Sequence, residues 1–330
     1  MRVLVTGATG FIGSHVALHA RQQGFDVAAA GQRNTAAERT RHHELASAGI
    51  DAIEGVLQDP HLAATLVSGC DAVIHLAAAQ HEANVPDSYF HDVNVAGTRV
   101  LLDASRTARV QRFVYGSTIG IYGSAERGVL DENSPPRPEN IYGRTKLEAE
   151  QLVRAAHGQS IATTVIRISE TYGPGDHRLL KLFRTISSGT FMMIGAGDNR
   201  RQVIHVDDVV AGLLLASTHP AAAGETFILA GQEVMTTREM VDCIAGAMGR
   251  ATPRGRVPLL PVLAGAVAME TLLRPMGIQP PLHRRRLDFF RKSFLFSTAK
   301  ARNVLGFTAQ VLFAQGARET AEWYRAKGEL

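Results

Sequence analysis

The feature that most constrains the fold is a glycine-rich turn near the start of the sequence, TGATGFIG at residues 6–13. The four apolar or β-branched residues 3–6 predict a short buried strand that leads into the turn, and an apolar run after the turn predicts a helix. Gly7 permits a tight turn, Gly10 lets backbone N–H groups approach a pyrophosphate, and Gly13 lets the helix pack closely on the strand. The helix N-terminus would then hold the phosphates, since its free N–H groups and dipole favour anions. The turn in this context predicts a dinucleotide site, with an ordinary strand–turn–helix as the alternative.

Short apolar runs alternate with helix-like stretches through the first half of the chain. This alternation is typical of a parallel sheet covered by helices on both faces. After the first strand, further strands are predicted at residues 26–30, 52–55, 72–76, 113–115 and 163–166. Helices are predicted at about 12–23, 38–48, 60–68, 87–108 and 142–156. The predicted fold class is α/β, a doubly wound parallel sheet (a Rossmann fold) with its ligand crevice at the carboxyl ends of the strands.

The pattern changes after residue 170, where GPGD (173–176) and GAGD (195–198) predict turns. Residues 203–205, followed by a helix at 207–216, predict a return to the sheet domain. From about residue 232 the chain mixes helices with proline and glycine breaks, which predicts a smaller, mainly helical C-terminal lobe over the crevice. The expected dinucleotide-binding domain is therefore 1–172 plus about 201–231. The expected substrate lobe is 173–200 plus about 232–330.

Composition narrows the classes of partner. The net charge of the 330 residues is +4, and this small, scattered excess excludes nucleic acid as an expected partner. Cys70 and Cys243 lack C-x-x-C spacing and are expected to be buried thiols in a reducing compartment. The longest apolar run, 257–273, is interrupted by two prolines and a glutamate, so no membrane span is predicted. Because Met1 leads directly into the first strand, no signal peptide and a cytoplasmic location are expected.

Tyr142 and Lys146 carry the clearest chemical signal. Residues four apart share one face of a helix, so the phenol and the ammonium group are expected to point into the same space. A nearby cation stabilises a phenolate and lowers its pKa, which suits the phenol for proton exchange with an alcohol or ketone. Ser117 and Thr118, at the end of the fifth predicted strand, are candidates for the hydroxyl that polarises the substrate oxygen.

With these residues in place, the chain resembles the extended short-chain dehydrogenase/reductase family. The branch concerned includes nucleotide-sugar epimerases and dehydratases, 3β-hydroxysteroid dehydrogenases and ketone reductases. The resemblance covers nearly the whole chain and implies an NAD(P)-dependent enzyme. It depends on motifs in the family's order: TGATGFIG (6–13), HLAA (75–78), VNVAGT (93–98), FVYGSTIGIYG (113–123), Tyr142 with Lys146 in YGRTK (142–146), TYGPGD (171–176) and IHVDD (204–208).

The resemblance implies specific roles. Tyr142 matches the catalytic acid/base, and Lys146 matches the lysine that tunes it and holds the nicotinamide ribose. Thr118 matches the catalytic Ser/Thr, with Ser117 beside it. Asn94 matches a family asparagine for which a structural hydrogen bond and a direct role are both open. Gln80 and Glu170 align with positions that often touch substrate in the family, and surface or hinge roles fit them equally well.

The segment after the second strand, AGQRN at 30–34, lacks the carboxylate that NAD-specific members use for the ribose 2′-hydroxyl. Arg33 is placed to pair with a 2′-phosphate, with Arg39 or Arg41 assisting, so NADP(H) is expected and NAD is the alternative. Where relatives often show Gly-Asp-Leu, this chain has Val56-Leu57, which predicts apolar contact with adenine. The full expected cofactor set is Gly7, Thr9, Gly10, Phe11, Ile12, Gly13, Arg33, Val56, Leu57, Leu76, Ala77, Ala78, Tyr142, Lys146 and Ile168.

The substrate is left open between two classes. Arg201 matches an arginine that contacts the diphosphate of nucleotide sugars, and the basic segment 283–286 lies where those members place another. The apolar stretch 257–273 instead resembles the substrate cover of steroid and other alicyclic ketone reductases, although core or a partner-facing helix fits equally. The leading hypothesis is an NADP(H)-dependent oxidoreductase interconverting a secondary alcohol and its ketone. The alternative is a nucleotide-sugar epimerase or dehydratase with tightly bound NAD, and a remote third is a non-catalytic dinucleotide sensor.

Two expectations concern metals and assembly. The chain has 13 histidines, but none shows paired ligand spacing, so no metal is predicted. His75 and His205 end predicted strands, where packing or hydrogen bonding is expected. The family resemblance implies a homodimer through the helices near 90–107 and 142–156.

Overall fold

The computed structural model describes residues 1–80, 85–123, 128–273 and 287–330. These contain thirteen strands: β1 Arg2–Thr6, β2 Asp26–Ala30, β3 Ala52–Ile53, β4 Ala72–His75, β5 Arg112–Thr118, β6 Ala162–Ile168, β7 Thr171–Tyr172, β8 Met193–Ile194, β9 Arg200–Arg201, β10 Ile204–His205, β11 Thr226–Leu229, β12 Met235–Thr236 and β13 Arg256–Val257. Seven form one parallel sheet in the order β11-β6-β5-β4-β1-β2-β3. The predicted doubly wound fold is confirmed.

Twelve α-helices lie in the same described residues: α1 Phe11–Gln22, α2 Ala36–Ser47, α3 Pro60–Val67, α4 Asp87–His91, α5 Gly97–Thr107, α6 Ile141–Ala155, α7 Leu180–Ser187, α8 Val206–Thr218, α9 Thr237–Ala247, α10 Leu259–Leu273, α11 Ala299–Leu305 and α12 Phe313–Ala326. A π-helical segment, Asp92–Ala96, joins α4 to α5. Short 3₁₀ turns occur at Ile119–Tyr122, Pro220–Ala222 and Asp288–Phe290.

One strand of the main sheet was not predicted. Thr226–Leu229 pairs in parallel with β6 and extends the sheet at that edge. The predicted strand at 203–205 forms β10, which pairs with β7 in a separate two-stranded sheet. The helix after it, α8, does return to the sheet domain, because its apolar face packs in the same core as β1 and α1.

Helices cover both faces of the sheet. α1, α8 and α11 pack on one face, and α3, α5 and α6 pack on the other. A further core brings together α7, α9 and α12 and lies apart from the sheet. Residues 299–309, which the predicted boundary gives to the substrate lobe, bury four apolar side chains in the sheet-domain core instead. We therefore propose the same two-part division with this segment assigned to the dinucleotide-binding domain.

The switch in strand order lies between β1 and β4. From β1 the chain builds β2 and β3 on one side and then crosses to β4 on the other. The carboxyl ends of β1 and β4 carry the glycine turn and residues 76–78. In open α/β sheets ligands bind in the crevice at such a point.

Helix α10 leaves much of its apolar surface in solvent. Leu260 is 77% exposed and Leu272 is 68% exposed, whereas Ala266 and Glu270 are buried. Among the described residues, no helix is long and apolar enough to cross a membrane.

Candidate active site

The glycine turn has the geometry that its sequence predicts. Gly7 has a φ of +69°, and the Gly10 N–H donates to the Gly7 carbonyl at 2.9 Å. A Cβ on Gly13 would lie 2.1 Å from the Gly7 oxygen, and a Cβ on Gly7 would lie 2.7 Å from the Ala77 nitrogen. Only glycine therefore lets α1 and the loop after β4 approach the turn this closely.

The N-terminus of α1 is open to an anion. Within the described residues, no side chain caps this end of α1, and its first turn contains no acidic residue. Phe11 and Ile12 begin the helix half-buried, and Thr9 is buried in the turn before it. Uncapped N–H groups and the positive end of the dipole suit a phosphate. The turn therefore fits the pyrophosphate of a dinucleotide.

A buried hydrogen-bond chain connects this turn to the helix on the far side of β4. The Thr98 hydroxyl donates to the Asn94 carbonyl, so it accepts from His75 Nε2 at 2.9 Å. His75 Nδ1 then accepts from the Thr6 hydroxyl at 2.6 Å. Burial, with repulsion from Lys146, lowers the His75 pKa to about 3. His75 is thus a neutral, fixed connector, in agreement with its expected hydrogen-bonding role.

The loop after β4 is held from two sides. Thr6 Oγ1 accepts from the N–H groups of Leu76 and Ala77, both at 3.3 Å. Leu76, Ala77 and Ala78 are half-buried at the carboxyl end of β4, and their contact with a cofactor stays a prediction. Gln80, also half-buried, ends the part of this loop that the structure describes.

Asn94 lies in the π-helical segment and is 1% exposed. Its Oδ1 accepts from the Ala79 N–H at 2.8 Å, and its Nδ2 donates to the Ala79 carbonyl and to Thr145 Oγ1. Of the two roles left open by the sequence, these bonds support the structural one. Asn94 fixes the loop after β4 to α6, next to Lys146. Local π-helical turns of this kind occur frequently at functional sites.

Helix α6 presents the Tyr–Lys pair. Asn140 caps the helix by accepting from the Gly143 N–H at 2.8 Å. A Cβ on Gly143 would lie 2.9 Å from the Gly120 oxygen, so glycine lets the start of α6 approach the turn after Thr118. Tyr142 is half-buried in the first turn and Lys146 is buried one turn later.

Lys146 is enclosed by the fold. It is 2% exposed, and its Nζ lies 4.1 Å from the centre of the Tyr115 ring. Burial lowers its pKa to about 7, although the charge of Glu150 acts in the opposite direction. Burial raises the pKa of Tyr115, and the nearby Tyr142 adds to this effect. A cation four residues after Tyr142, on the same face of α6, favours the phenolate form that proton transfer requires.

The two candidate hydroxyls separate. Successive residues of a strand point to opposite faces, and Ser117 Oγ donates to Glu150 Oε2 at 2.9 Å inside the molecule. Thr118 is half-buried at the end of β5, and its Oγ1 accepts from the Gly120 N–H at 3.0 Å. Ser117 is thus bonded inside the molecule, whereas Thr118 lies at the carboxyl end of β5, next to Ile168 on β6.

Ser117 belongs to a buried polar cluster that was not predicted. Glu150 and Arg167 form a buried ion pair of 2.6 Å, and Arg167 Nη1 donates to the Tyr122 hydroxyl at 2.6 Å. Burial raises the Tyr122 pKa to about 12. The cluster braces α6 against β5 and β6. A glutamate four residues after Lys146 was its one visible signal.

Arg33 has a partner that the sequence analysis also missed. Its Nε lies 3.6 Å from Glu54 Oε2, immediately after β3. Arg39 donates to the carbonyls of Arg33 and Asn34, while Arg41 donates to the Gly175 carbonyl at 2.8 Å and to that of Thr9. Two expected adenine contacts follow Glu54 on the same side: Val56, 59% exposed, and Leu57, half-buried.

The two expected substrate residues Glu170 and Arg201 contact each other. Arg201 Nη2 donates to Glu170 Oε1, and Nη1 donates to the Phe289 carbonyl at 3.1 Å. The guanidinium also lies over the Phe289 ring, 4.5 Å from its centre. Arg201 is 5% exposed, and its charge is already matched by Glu170. The basic segment 283–286 lies outside the described residues.

One group of possible metal ligands occurs in the described ranges, namely His205, Asp207 and Glu319. His205 Nδ1 accepts from the Asp207 N–H at 3.4 Å as the cap of α8, which puts the proton on Nε2, facing Glu319 at 3.5 Å. A metal on Nε2 would require this cap to be lost. The absence of a metal stays a prediction.

With this geometry in view, comparison with known proteins identifies the family. The model of the NAD dependent epimerase/dehydratase family matches residues 3–230. The chain belongs to this family. It is an NAD(P)-dependent enzyme of the extended short-chain dehydrogenase/reductase type.

Relatives of this family member fall into both expected activity classes. It is 30% identical over 322 residues to the 4-hydroxy-2-methyl-3-oxo-4-farnesyl-3,4-dihydroquinoline-1-oxide ketoreductase of Stigmatella aurantiaca, covering 96% of this chain and 94% of that protein. It is 32% identical over 342 residues to a dTDP-glucose 4,6-dehydratase of Streptomyces niveus, covering 98% and 93%.

A similar solved structure is the dTDP-glucose 4,6-dehydratase of Streptomyces venezuelae with NAD bound. Its identity to this chain is 28% and its TM-score is 0.79, covering 98% of this chain and 97% of the other. Family membership thus establishes the enzyme class and a nicotinamide dinucleotide as cofactor.

Proposed function

We propose that the enzyme is an NADP(H)-dependent oxidoreductase that interconverts a lipophilic secondary alcohol and its ketone. The observation that most supports a ketone over a nucleotide sugar is that Arg201 is already engaged. Its guanidinium is ion-paired with Glu170 and stacked on Phe289. A diphosphate would have to displace Glu170 from Arg201. A neutral ketone can bind without breaking the Arg201–Glu170 ion pair.

The residues around the glycine turn support binding of the whole dinucleotide. Gly7, Gly10 and Gly13 leave space for backbone N–H groups to reach a pyrophosphate. The positive end of the α1 dipole favours the negative charge of that group. Arg33 is the residue proposed for the 2′-phosphate, and Val56 offers an exposed apolar surface to adenine. When bound, the nicotinamide supplies or accepts the hydride.

The proton is assigned to Tyr142. In the reductive direction its hydroxyl donates to the ketone oxygen as the hydride reaches the carbonyl carbon, giving the alcohol and a phenolate. The buried Lys146 stabilises that phenolate. Thr118 Oγ1 already accepts from Gly120, so its own proton is available to bond the same ketone oxygen.

The apolar surface of α10 and one relative support a lipophilic substrate. Leu260 and Leu272 are both more than two-thirds exposed. The Stigmatella relative is a ketoreductase of a farnesyl-bearing quinoline oxide. Exposed apolar surface of this kind is typical of a binding site for apolar groups.

The likeness to dTDP-glucose 4,6-dehydratases supports a second candidate, a nucleotide-sugar enzyme with tightly bound NAD. Elimination of water needs an acid and a base on the sugar in addition to Tyr142. The residues after Thr118 are Ile119, Gly120 and Ile121, which carry no ionisable group. This run therefore supplies neither group.

The test is turnover by wild-type enzyme and by Tyr142→Phe, with NADPH and a panel of alkyl 3-oxoesters and alicyclic ketones, followed by nicotinamide absorbance. We expect wild-type turnover of at least one ketone and a loss of about 10²–10⁴-fold in the variant. Protein that purifies with bound NAD and converts UDP-glucose or dTDP-glucose without added nicotinamide would refute the proposal. Unchanged turnover in Tyr142→Phe would remove Tyr142 from the mechanism.

The homodimer stays a prediction. The outer faces of α5 and α6 are charged or polar rather than apolar, so association there would depend on paired charges. The exposed residues concerned are Arg99, Asp103, Arg106, Arg144, Glu148, Gln151 and Arg154. Light scattering at low and high salt would measure the mass and the contribution of these charges.

A further inference from the structure

Arg33 and Glu54 form an ion pair at the edge of the sheet where the adenosine end of a dinucleotide is expected. Arg33 Nε and Glu54 Oε2 are 3.6 Å apart, and the two side chains are 43% and 48% exposed. Both can therefore move without unpacking the core. A pair this exposed is held weakly and can be exchanged for a ligand.

The backbone around the pair is fixed to the glycine turn. The Gly31 N–H donates to the Ile53 carbonyl at 3.1 Å, and Gln32 Nε2 donates to the Gly55 carbonyl at 2.6 Å. A Cβ on Gly31 would lie 2.4 Å from Thr9 Oγ1, so this strand end lies directly against the turn. Arg33 and Glu54 are thus carried by two loops that are bonded together beside the pyrophosphate cradle.

Neighbouring arginines are engaged by the backbone. Arg39 donates to two carbonyls of the 33–34 segment, and Arg41 donates to the Thr9 and Gly175 carbonyls. Arg33 differs, because its ion-pair partner is a side-chain carboxylate in the loop after β3. The electrostatic balance at this edge therefore depends on Glu54 as much as on Arg33.

We propose that Glu54 determines how strongly the enzyme discriminates between NADPH and NADH. A 2′-phosphate must draw Arg33 away from Glu54 and is also repelled by the carboxylate. A 2′-hydroxyl leaves the pair intact and finds in Glu54 a carboxylate acceptor, which the segment after β2 does not provide. Glu54 thus weakens NADPH and favours NADH. The inference rests on the proposed dinucleotide contacts at Arg33.

The experiment measures dissociation constants of NADPH and NADH by nicotinamide fluorescence, with cofactor-induced shifts of the melting temperature as a second readout. The variants are Glu54→Gln, Arg33→Gln and the double variant. Asp51→Asn is the matched control, since it removes one exposed carboxylate at the other end of β3. All four changes are on exposed or half-exposed side chains, and the wild type is measured alongside.

We expect Glu54→Gln to tighten NADPH by roughly fivefold and to weaken NADH, while Asp51→Asn leaves the ratio of the two constants unchanged. Arg33→Gln should weaken NADPH, and Glu54→Gln should no longer tighten NADPH once Arg33 is replaced. The inference is overturned if Glu54→Gln changes both constants by the same factor, changes neither by more than twofold, or matches Asp51→Asn.

The wild-type ratio alone tests the proposed NADP(H) preference. The shift of that ratio on Glu54→Gln tests the role of Glu54. An enzyme that prefers NADH and moves towards NADPH in Glu54→Gln would refute the first and support the second.

Discussion

Replacing Lys146 by methionine should stabilise the cofactor-free enzyme while removing the cation one helical turn after Tyr142. Burial lowers the Lys146 pKa from its ordinary 10.5 to about 7. The folded state thus binds this proton more weakly than the unfolded chain does. Wild-type stability should rise with pH between about 7 and 10.5, by up to about 1.4 kcal/mol per pH unit. Below pH 7 the buried charge costs about 5 kcal/mol. Methionine fills a similar volume without titrating.

The assay is urea unfolding of both cofactor-free proteins at several pH values. Lys146→Met should be the more stable protein at pH 7, and its advantage should shrink by about 3 kcal/mol by pH 9.5. Taking the difference between the two proteins cancels the titration of groups that they share. A difference that stays constant over this range would show that Lys146 is not held in a low-polarity environment. Turnover with added cofactor should fall in the variant at every pH.

Three further experiments test the buried hydrogen bonds around the site, the glycine turn and the two candidate hydroxyls. Asn94→Leu should destabilise the protein by about 2–4 kcal/mol in urea unfolding and lower kcat, because buried backbone groups lose their partners; an unchanged midpoint would contradict this. Gly13→Ala should abolish cofactor binding in fluorescence titrations, whereas Gly246→Ala, with open space around it, should bind normally; equal binding by both would disprove the close approach. Ser117→Ala should retain turnover and lose about 1–3 kcal/mol of stability, whereas Thr118→Val should lose turnover with little change in stability; the reverse pattern would exchange their roles.

The fold was predictable where local pattern and tertiary structure agree. A strand that is buried on both faces is a continuous apolar run, so β1 could be predicted from the sequence. The turn after β1 could be predicted because close backbone approach fixes the spacing of its glycines. The strand Thr226–Leu229 was missed because it is only four residues long. Flanked by Gly224 and Gly231, it resembles a short loop with apolar residues. The packing of residues 299–309 in the sheet-domain core could not be predicted, because few apolar side chains do not reveal which surface they pack on.

The site was predictable in its residues and less so in their pairings. Tyr142 and Lys146 share a helix, so their proximity follows from spacing alone. Ser117 could have been separated from Thr118, since neighbouring strand residues face opposite ways. The Arg33–Glu54 and Glu170–Arg201 ion pairs join residues from different parts of the chain. The local sequence around each residue does not predict its partner. The proposals on cofactor preference and substrate class are argued from these pairs.

Because of the π-helical segment Asp92–Ala96, the position of Asn94 depends on the exact number of residues between α4 and α5. A π turn holds one more residue than an α turn, and each residue of a helix advances the side chains by about 100°. Deleting a single residue here would let α4 and α5 join as one regular helix, with a better backbone hydrogen-bond ladder. The same deletion would rotate the Asn94 position relative to either α4 or α5 and break its link between the β4 loop and α6. A better-formed helix would then produce a poorer enzyme, and an alignment that treats this extra residue as a neutral insertion would overlook its function.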